Sequence, residues 1–403
     1  IVSSCTNQRR NCKFRKIKPM KITDFKITYW EGEAERAIGD ANGPYGSKRL
    51  PGSFLEIFTD EGITGYSLIG NGYVEKLFPL LEGKDPRSVI GLWKEMNDLV
   101  FKGGNEGERC DAISAIDLAL WDLKAKIADQ PLWKLLGSST NSVKAYASGI
   151  DLNLTDDEIY KFYSRMADMG IDAGKLKVGL DLDLDERRLG IVKDALSKAS
   201  DRPLLCIDSN EYWSPKQAIR FISKLEEKFD ITWAEEPARR WDYNGLKKVS
   251  DNIKAAVATG ENINDLAEFM PLIDNGAVDI VEIGMGTTGL TGAMKVANMA
   301  YAYELPVAMM NCPGNTMAHL ATNLPNHMMM EVVDNGRELF FNTDHHIADG
   351  KIILGDKPGF GIDVDFDKLN ELEVSKHSTP KHESYPFPRR EGAGLIIKPL
   401  EKD

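Results

Sequence analysis

Residues 173–179 read AGKLKVG and place two lysines, Lys175 and Lys177, in a short apolar run bounded by glycines. The run has the character of a buried β-strand, and in a strand the side chains at positions i and i+2 point to the same face. Two ammonium groups are therefore expected side by side on one face of a buried strand. Because buried lysines are rare unless they are paired, other parts of the chain must supply the groups that compensate them.

The chain from about residue 140 repeats one pattern, a short β-rich run followed in most cases by a polar, helix-compatible segment. Strands that alternate with helices predict βαβ units and a parallel sheet. Eight units predict a (β/α)8 barrel, a fold whose active sites lie at the C-terminal ends of the strands. The eight runs are VKAYAS (143–148), KLKVG (175–179), LLCIDSN (204–210), ITWAEEP (231–237), AAVATGEN (255–262), VDIVEIG (278–284), PVAMMN (306–311) and HMMMEVV (327–333).

The N-terminal part of the chain reads as a smaller α+β unit. Residues 20–70 predict antiparallel strands, with a hairpin turn at TDEG (59–62) and a long Gly- and Pro-rich loop over 32–53. The helical spacing of AISAIDLALWDLKAKIA (112–128) predicts a helix that begins near Asp111 or Ser114. The predicted organisation is a leader or disordered tail (1–19), an α+β capping domain (20–138), the barrel (139–350) and a C-terminal segment (351–403) that returns to the capping domain.

Composition limits the function classes. The 403 residues are 42% hydrophobic and carry a formal net charge of -12, which argues against nucleic acid as the main partner. No apolar run approaches the roughly 18–20 residues that span a bilayer. Five scattered cysteines predict neither a disulfide framework nor a zinc site, so a cytoplasmic protein is expected. The polar, basic segment 1–19, which begins Ile-Val-Ser-Ser-Cys, leaves an exported or lipid-anchored form open.

Carboxylates end three successive predicted strands, next to the strand that carries the two lysines. Each ending alone has an ordinary structural explanation as a helix cap or a solvated turn, but together they predict one site. Hard oxygen ligands from separate strands suit Mg²⁺. A cation and a second lysine nearby would lower the pKa of a lysine and make a neutral base accessible. The three endings are Asp208-Ser209-Asn210, Glu235-Glu236-Pro237 and Gly260-Glu261-Asn262.

The order Lys-x-Lys, Asp-x-Asn, Glu-Glu-Pro and Gly-Glu-Asn resembles the signature of the enolase superfamily, in its mandelate racemase/muconate-lactonizing branch. PLWKLLG (131–137) and its preceding helix resemble the entry to that family's barrel, and DEGITGYS (60–67) resembles part of its capping domain. The resemblance covers roughly residues 20–370. It implies a (β/α)8 barrel with an N-terminal α+β capping domain, and α-proton abstraction by a lysine or histidine base with Mg²⁺ stabilising an enediolate.

The resemblance also implies a role for each residue of the pattern. Lys177 would be the base that removes the α-proton, and Lys175 would lie near the substrate carboxylate and keep Lys177 neutral. The Mg²⁺ ligands would be Asp208, Glu235 and Glu261, while Glu236 would support them. The implied substrate contacts are Asn210, Glu331, Asn311 and, from the loop over the barrel mouth, Tyr45, Lys48 or Arg49. The substrate would be a small carboxylate, and a homo-oligomer is expected by analogy.

The chain departs from the family pattern where a second base is expected. After the sixth strand, Gly284 stands where racemases of this branch have an aspartate, and no lysine occurs between residues 276 and 292. After the seventh strand, MMN (309–311) replaces the histidine. His319 falls inside the next helical pattern, where we expect it to pack. Neither of the family's second bases is therefore visible.

A missing second base favours a reaction that needs only one face of the substrate. Lys177 could remove the α-proton and its conjugate acid could assist departure of the β-hydroxyl, so dehydration of an acid sugar is the leading hypothesis. One alternative is an epimerase or cycloisomerase that uses another group, such as Cys312 or Asn311. The other is a protein that binds metal and sugar acid without turnover, although simple binding does not need Lys177.

Overall fold

The computed structural model describes residues 20–375 and residue 377. The predicted tail over residues 1–19 lies outside this range, as does most of the predicted C-terminal segment after Ser375. Within the described residues, no helix is both long and apolar enough to cross a membrane.

The N-terminal unit combines a three-stranded antiparallel sheet with a group of helices. Its strands, in spatial order, are β1 (Ile22–Ile38), β2 (Ser47–Thr59) and β3 (Thr64–Ser67). Its helices are α1 (Val74–Leu77), α2 (Val89–Val100), α3 (Glu108–Ile127) and α4 (Leu132–Leu135). Helix α3 is almost wholly buried, and it starts about one turn before the predicted position because Gly107 forms its N-cap with a positive φ of 56°.

The prediction of a long loop over residues 32–53 is wrong. Strands β1 and β2 pair along nearly their whole length, including Gly32 with Leu50 and Glu33 with Arg49, so only residues 39–46 form the connection. Gly52, one of the glycines that indicated a loop, is needed for side-chain packing instead. A Cβ atom on Gly52 would lie 2.3 Å from the Trp30 ring, so only glycine lets this ring lie across the sheet.

The predicted (β/α)8 barrel is confirmed. Eight parallel strands follow one another in chain order, and pairing of the last strand with the first closes the barrel. The strands are β4 (Ser142–Ser148), β5 (Ala173–Lys177), β6 (Leu204–Asp208), β7 (Ile231–Glu235), β8 (Ala256–Thr259), β9 (Ile280–Ile283), β10 (Val307–Met309) and β11 (His327–Val332).

Helices connect the barrel strands on the outside, and apolar side chains fill the interior below the mouth. The helices are α5 (Asp156–Asp168), α6 (Leu182–Leu196), α7 (Pro215–Leu225), α8 (Tyr243–Ser250), α9 (Leu266–Asp274), α10 (Gly289–Ala302) and α11 (Ala318–Ala321). The interior cluster consists of Tyr146, Ala173, Cys206, Trp233, Ala258, Ile280, Ala308, Met310 and Met329. This packed interior restricts chemistry to the strand ends.

The C-terminal part contributes to both units. It contains β12 (Phe341–Thr343), β13 (His345–Ala348), β14 (Lys351–Leu354), β15 (Ile362–Val364) and α12 (Phe366–Leu372). Strand β14 pairs antiparallel with β4, so the start of the predicted 351–403 segment extends the barrel sheet. Helix α12 then contacts β1, and the Val374 amide donates to the Tyr29 carbonyl at 2.8 Å, which ties the chain back to the N-terminal sheet.

The β1–β2 hairpin lies across the barrel mouth and is bonded to several of its loops. The Arg36 guanidinium donates to the carbonyls of Gly149, at 2.5 Å, and Asp334, at 3.1 Å, which follow the first and last barrel strands. At the hairpin tip, the Asn42 amide group donates to the Asn210 carbonyl at 2.9 Å. These bonds hold residues of the hairpin over the strand ends.

Candidate active site

Strand register places the predicted residues side by side at the mouth. Lys177 pairs with Asp208, and Asp208 pairs with Glu235, across three neighbouring parallel strands. On the next strand, Gly260 precedes Glu261 with φ of 134°, and a Cβ atom there would lie 2.4 Å from the Glu282 carbonyl oxygen. Glycine is therefore required at residue 260, where the chain turns to present Glu261.

The two lysines of AGKLKVG form buried ion pairs with the carboxylates that end the other strands. The Lys175 ammonium contacts Glu235 and lies 3.0 Å from Glu331 and 3.6 Å from Asp208. The Lys177 ammonium contacts Asp208. Lys175 is only 1% exposed and Lys177 only 5%. The carboxylates thus compensate the charges that the sequence placed on one buried strand.

These ion pairs reverse the expected direction of the lysine pKa shifts. Burial and the neighbouring Lys175 lower the pKa of Lys177, but attraction to Asp208, Glu261 and Glu235 outweighs them and leaves that pKa above its usual value. For Lys175, burial again lowers the pKa, but attraction to Glu235 and Glu331 outweighs burial and leaves the pKa well above its usual value. Both lysines are therefore cationic while these carboxylates face them directly.

Carboxyl groups outnumber ammonium groups in this cluster. Burial raises the pKa of Glu235 to about 8, and Asp208 and Glu261 add to the rise against the attraction of Lys175. Glu282, which the sequence analysis missed, lies against Glu235, and burial followed by that contact raises its pKa well above the usual value. Its alternation with Ile280 in VDIVEIG was the signal that Glu282 faces the barrel interior.

The donor set suits a hard divalent cation, although lysine ammonium groups contact two of the three carboxylates, Asp208 and Glu235. Within residues 20–375, no three carboxylate, histidine or cysteine side chains converge as a ready metal cage. Asp208, Glu235 and Glu261 nevertheless supply only oxygen donors from three consecutive strand ends, which is the chemistry that Mg²⁺ prefers. A divalent cation bound there would also favour the ionised form of these crowded carboxyl groups.

A cavity of about 400 Å³ lies between the strand ends and the hairpin. This volume is in the range of small-molecule sites. The barrel side of its wall, here called the barrel wall, consists of Ile150, Lys177, Asn210, Glu261, Asn311 and Glu331. The opposite side, here called the hairpin wall, consists of Ile38, Gly39, Asp40, Gly43, Ser47, Arg49 and Pro51.

The structure brings most of the implied substrate contacts to this cavity. Asn210, Asn311 and Glu331 line it, and so does Arg49. Tyr45 does not belong to its wall, and its side chain is 71% exposed at the hairpin tip. Tyr45 precedes β2 and is not placed by that strand. Lys48 does not belong to the wall either, because Ser47, Arg49 and Pro51 share the strand face that points to the barrel and Lys48 lies on the other face.

Asn311 lies on the barrel wall three strands from Lys177, counted from β5 through β4 and β11 to β10. Its side-chain nitrogen donates to Glu331 at 2.7 Å, and its side-chain oxygen accepts from Arg337 at 2.6 Å. Arg337 has only donors, and a carboxylate has only acceptors, so these partners fix the amide orientation. Burial opposes ionisation of Glu331, but Lys175 and Lys177 hold its pKa below the usual value, which keeps it a carboxylate.

Cys312, proposed as an alternative second group, lies away from the cavity, and His319 packs as expected. The Cys312 thiol is buried against Thr316 and the Met317 amide, and burial raises its pKa. His319 packs on Phe360, and burial lowers its pKa to about 3. Among the described residues that line the cavity, Lys177 is the one lysine or histidine.

Arg337 was not foreseen from the sequence. It follows β11 and lies 26 positions from Asn311 in the chain, yet its guanidinium bonds both the Asn311 side chain and, at 2.5 Å, the Cys312 carbonyl. No local pattern marks such a contact, because the tertiary fold alone brings the two loops together.

Comparison with known proteins gives a consistent family. Residues 158–368 match the enolase C-terminal domain-like family, and residues 48–137 match the mandelate racemase/muconate lactonizing enzyme N-terminal domain. A 3,6-anhydro-alpha-L-galactonate cycloisomerase of Streptomyces coelicolor is 32% identical over 296 residues, which cover 73% of this chain and 81% of the relative. An L-talarate/galactarate dehydratase of Salmonella typhimurium is 32% identical over 285 residues, or 70% of each chain.

Solved structures agree with this relationship. A racemase from Streptomyces coelicolor A3(2) with bound magnesium has a TM-score of 0.79 at 28% identity and covers 88% of this chain and 100% of its own. An L-talarate dehydratase from Polaromonas sp. JS666, complexed with Mg and L-glucarate, has a TM-score of 0.77 at 30% identity and covers 88% of this chain and 98% of its own. The predicted family is confirmed: this chain is an enzyme of the mandelate racemase/muconate-lactonizing branch of the enolase superfamily.

Proposed function

We propose that the protein is a Mg²⁺-dependent lyase that dehydrates an acid sugar to a 2-keto-3-deoxy acid. The observation that carries this proposal is the asymmetry of the barrel wall. Lys177 is the one lysine or histidine among the described cavity residues, while the cavity residue that follows β10 is Asn311, an amide whose orientation Arg337 and Glu331 fix. Dehydratases among the relatives, such as the talarate/galactarate enzyme, support the same reaction type.

Asp208, Glu235 and Glu261 are the residues proposed to hold Mg²⁺. When bound, the ion supplies a Lewis acid for the substrate carboxylate and for the charge that develops on it. Coordination of the ion by these carboxylates would weaken the attraction that raises the pKa of Lys177. Burial and the charge of Lys175 would then lower that pKa toward a value suited to a base.

Side chains at the strand ends carry out the proton transfers and bind the substrate. Neutral Lys177 accepts the proton from the α-carbon, and the electron pair of the broken C–H bond forms the enediolate. The ammonium of Lys177 then returns a proton to the β-hydroxyl, which leaves as water, and the resulting enol becomes the 2-keto acid. Lys175 and Asn311 offer hydrogen-bond donors to the substrate. Asn210 lies beside Asp208, to which its backbone N–H donates at 2.8 Å.

An isomerase is the second candidate, because one of the relatives at 32% identity is a cycloisomerase. Such a reaction also begins with α-proton abstraction, which Lys177 could perform, but the proton is then returned to carbon and no water is lost. A binding protein without turnover is the weakest reading, because it gives no reason to place Lys177 on the cavity wall.

A screen of aldonic and aldaric acids with Mg²⁺ tests the proposal. We expect a 2-keto-3-deoxy product from at least one acid, detected as a semicarbazone and by NMR. The same reactions run in D₂O report α-proton exchange. Exchange without dehydration would favour the isomerase, and absence of both product and exchange with every acid would refute α-proton chemistry at this site.

A further inference from the structure

We propose that Asp151 is a positioning residue for Lys177, because its buried carboxylate holds the strand end that carries the proposed base. This inference rests on the proposed function and adds to it a residue from outside the cavity wall. Asp151 follows β4, is fully buried and does not line the cavity. Any effect of its side chain on the reaction must therefore pass through the groups that it contacts.

The end of β5 lacks a strand partner on one side. Strand β4 pairs with β5 only as far as Lys175. Strand β6 continues alongside β5 to Lys177, which pairs with Asp208. Backbone N–H groups of consecutive strand residues point to opposite sides, and that of Val178 donates to the Asp208 carbonyl at 2.9 Å. The N–H of Lys177 therefore faces the side on which β4 has ended.

The carboxylate of Asp151 takes the place of the missing strand. One of its oxygens accepts from the Lys177 backbone N–H at 2.9 Å. The other lies 2.7 Å from the Tyr163 hydroxyl, which keeps its proton because burial and Asp151 raise its pKa well above the usual value. A buried carboxylate is costly unless it is hydrogen-bonded, and both oxygens meet that condition here. The last residue of β5 is thereby held in strand geometry.

The turn that leads to Asp151 is shaped around this carboxylate. A Cβ atom on Gly149 would lie 2.4 Å from the oxygen that faces Tyr163, so glycine leaves room for the carboxylate to fold back. Ile150 has φ of 44°, a left-handed conformation that is unfavourable for a β-branched residue. Such strain persists where surrounding contacts over-determine the backbone, as they often do at active sites.

The β1–β2 hairpin fixes the same turn from the other side of the cavity. Gly39, on the hairpin wall, forms a parallel bridge with Asp151. In this bridge the Gly39 N–H donates to the Ile150 carbonyl at 2.8 Å. Asp151 therefore connects the hairpin to the strand that carries Lys177, and the contacts of the hairpin help to set the place of the base.

Alanine and asparagine at residue 151 test the hydrogen bond to the base strand. Asp151→Ala removes the acceptor of the Lys177 N–H. We expect α-proton exchange in D₂O at saturating acid to fall about 10²-fold, the loss that a small misplacement of a catalytic group can cause. The KM for the same acid should change by less than about threefold, since the cavity wall keeps its residues.

Asp151→Asn is the conservative variant that should rescue the rate. Asparagine keeps an oxygen for the Lys177 N–H. The Tyr163 hydroxyl can turn its proton to the Lys175 carbonyl, 2.5 Å away, and accept from the new amide group. We expect α-proton exchange within about threefold of the unmodified enzyme, because no buried group loses its partner.

Two further variants separate positioning from a general loss of stability. Gly149→Ala leaves the Asp151 carboxylate intact but displaces it, and it should lower α-proton exchange as Asp151→Ala does. Asp117→Ala is the matched control, because the equally buried Asp117 accepts from the backbone N–H and the hydroxyl of Thr291, at 2.8 and 2.6 Å. It should lower the urea midpoint of unfolding but leave exchange within about threefold of the unmodified rate, since the two sites share no partner.

Amide hydrogen exchange, followed by mass spectrometry, reads the same contact without turnover. We expect the peptide that contains Lys177 to exchange faster in Asp151→Ala than in the unmodified protein or in Asp151→Asn, because the Lys177 N–H has lost its partner. Unchanged amide exchange in Asp151→Ala would overturn the inference. So would α-proton exchange at the unmodified rate in that variant, or an equal loss in Asp151→Asn.

Failure of the proposed function has a different signature. The unmodified protein would then exchange no α-proton of any acid. Amide exchange at Lys177 would still decide whether Asp151 holds this strand end, so the positioning contact and the reaction are tested separately.

Discussion

The two walls of the cavity are built in different ways. Behind and within the barrel wall, Lys175, Lys177, Asp208 and Glu235 are almost fully buried, and strand register sets their neighbours. The polar groups of the hairpin wall come from another domain, remain partly exposed and depend on hydrogen bonds between the hairpin and the barrel loops. Changes to the barrel wall should therefore alter the chemical step, whereas changes to the hairpin wall should alter substrate choice.

The largest expected effect comes from removing the base on the barrel wall. Lys177→Met should lower α-proton exchange in D₂O by about 10³-fold, since general base catalysis typically contributes 10²–10⁴-fold. The measurement is loss of the α-proton NMR signal of an acid that the unmodified enzyme exchanges. Lys144→Met removes an exposed lysine that pairs with Asp172 and serves as the control. Exchange that persists in Lys177→Met would show that another group is the base.

A buried histidine away from both walls, His319, is expected to contribute to the acid response of the fold. Burial lowers the pKa of His319 to about 3, so the unfolded chain binds a proton between about pH 6.5 and 3 that the folded chain does not. Its contribution to stability is complete above pH 6.5 and is lost as the pH falls toward 3, at up to about 1.4 kcal/mol per pH unit.

His319→Gln should therefore flatten the dependence of unfolding free energy on pH in this window, as measured by urea titrations at several pH values. Glutamine can still accept the hydrogen bond that the Trp133 amide donates to the ring at 3.1 Å. His346→Gln, on an exposed position of β13, is the matched control. An unchanged slope in His319→Gln would assign the acid sensitivity to other groups, such as His327, whose pKa burial lowers to about 4.

Arg337 tests whether orientation of Asn311 matters to the chemical step. Arg337→Met frees the amide to rotate, and we expect kcat to fall about tenfold, in line with the loss of one hydrogen bond to a charged group, with a smaller change in KM. Arg337→Lys should restore part of kcat, because lysine can still donate to the Asn311 oxygen. Arg165→Met removes a nearby arginine that pairs with Asp334 and is the control. If Arg337→Met and Arg165→Met change kcat and KM by the same amounts, the effect is a general one on the loop after β11 and not one on Asn311.

The smallest effect is expected on the hairpin wall. Ser47→Ala removes one hydroxyl that can bond the distal end of the substrate, and we expect KM to rise about threefold with kcat nearly unchanged, the signature of lost uniform binding. Steady-state kinetics with the turned-over acid measure this split. A fall in kcat of about tenfold in Ser47→Ala, the size expected for Arg337→Met, would contradict the expectation that the hairpin wall affects substrate binding and not the chemical step.

Much of the charged cluster at the strand ends was predictable because its geometry is local. A parallel sheet brings consecutive strand ends to one edge, so Lys175, Lys177, Asp208 and Glu235 could be placed together from eight short runs. The alternation of side chains along the strand VDIVEIG (278–284) marks Glu282 as inward-facing, a prediction that was not made from the sequence. The hairpin was harder, because its glycines and proline are loop signals that here accommodate Trp30 and a long antiparallel pairing.

The sequence by itself determined the fold class, the family and the order of charged groups around the mouth, since periodicity and spacing are properties of neighbouring residues. Only the tertiary structure decided that Arg49 rather than Tyr45 reaches the cavity, that Glu31 matches its charge and that Arg337 orients Asn311. Those contacts join residues from different domains or from loops far apart in the chain. Their distances depend on how the packed elements meet, and no local pattern encodes that.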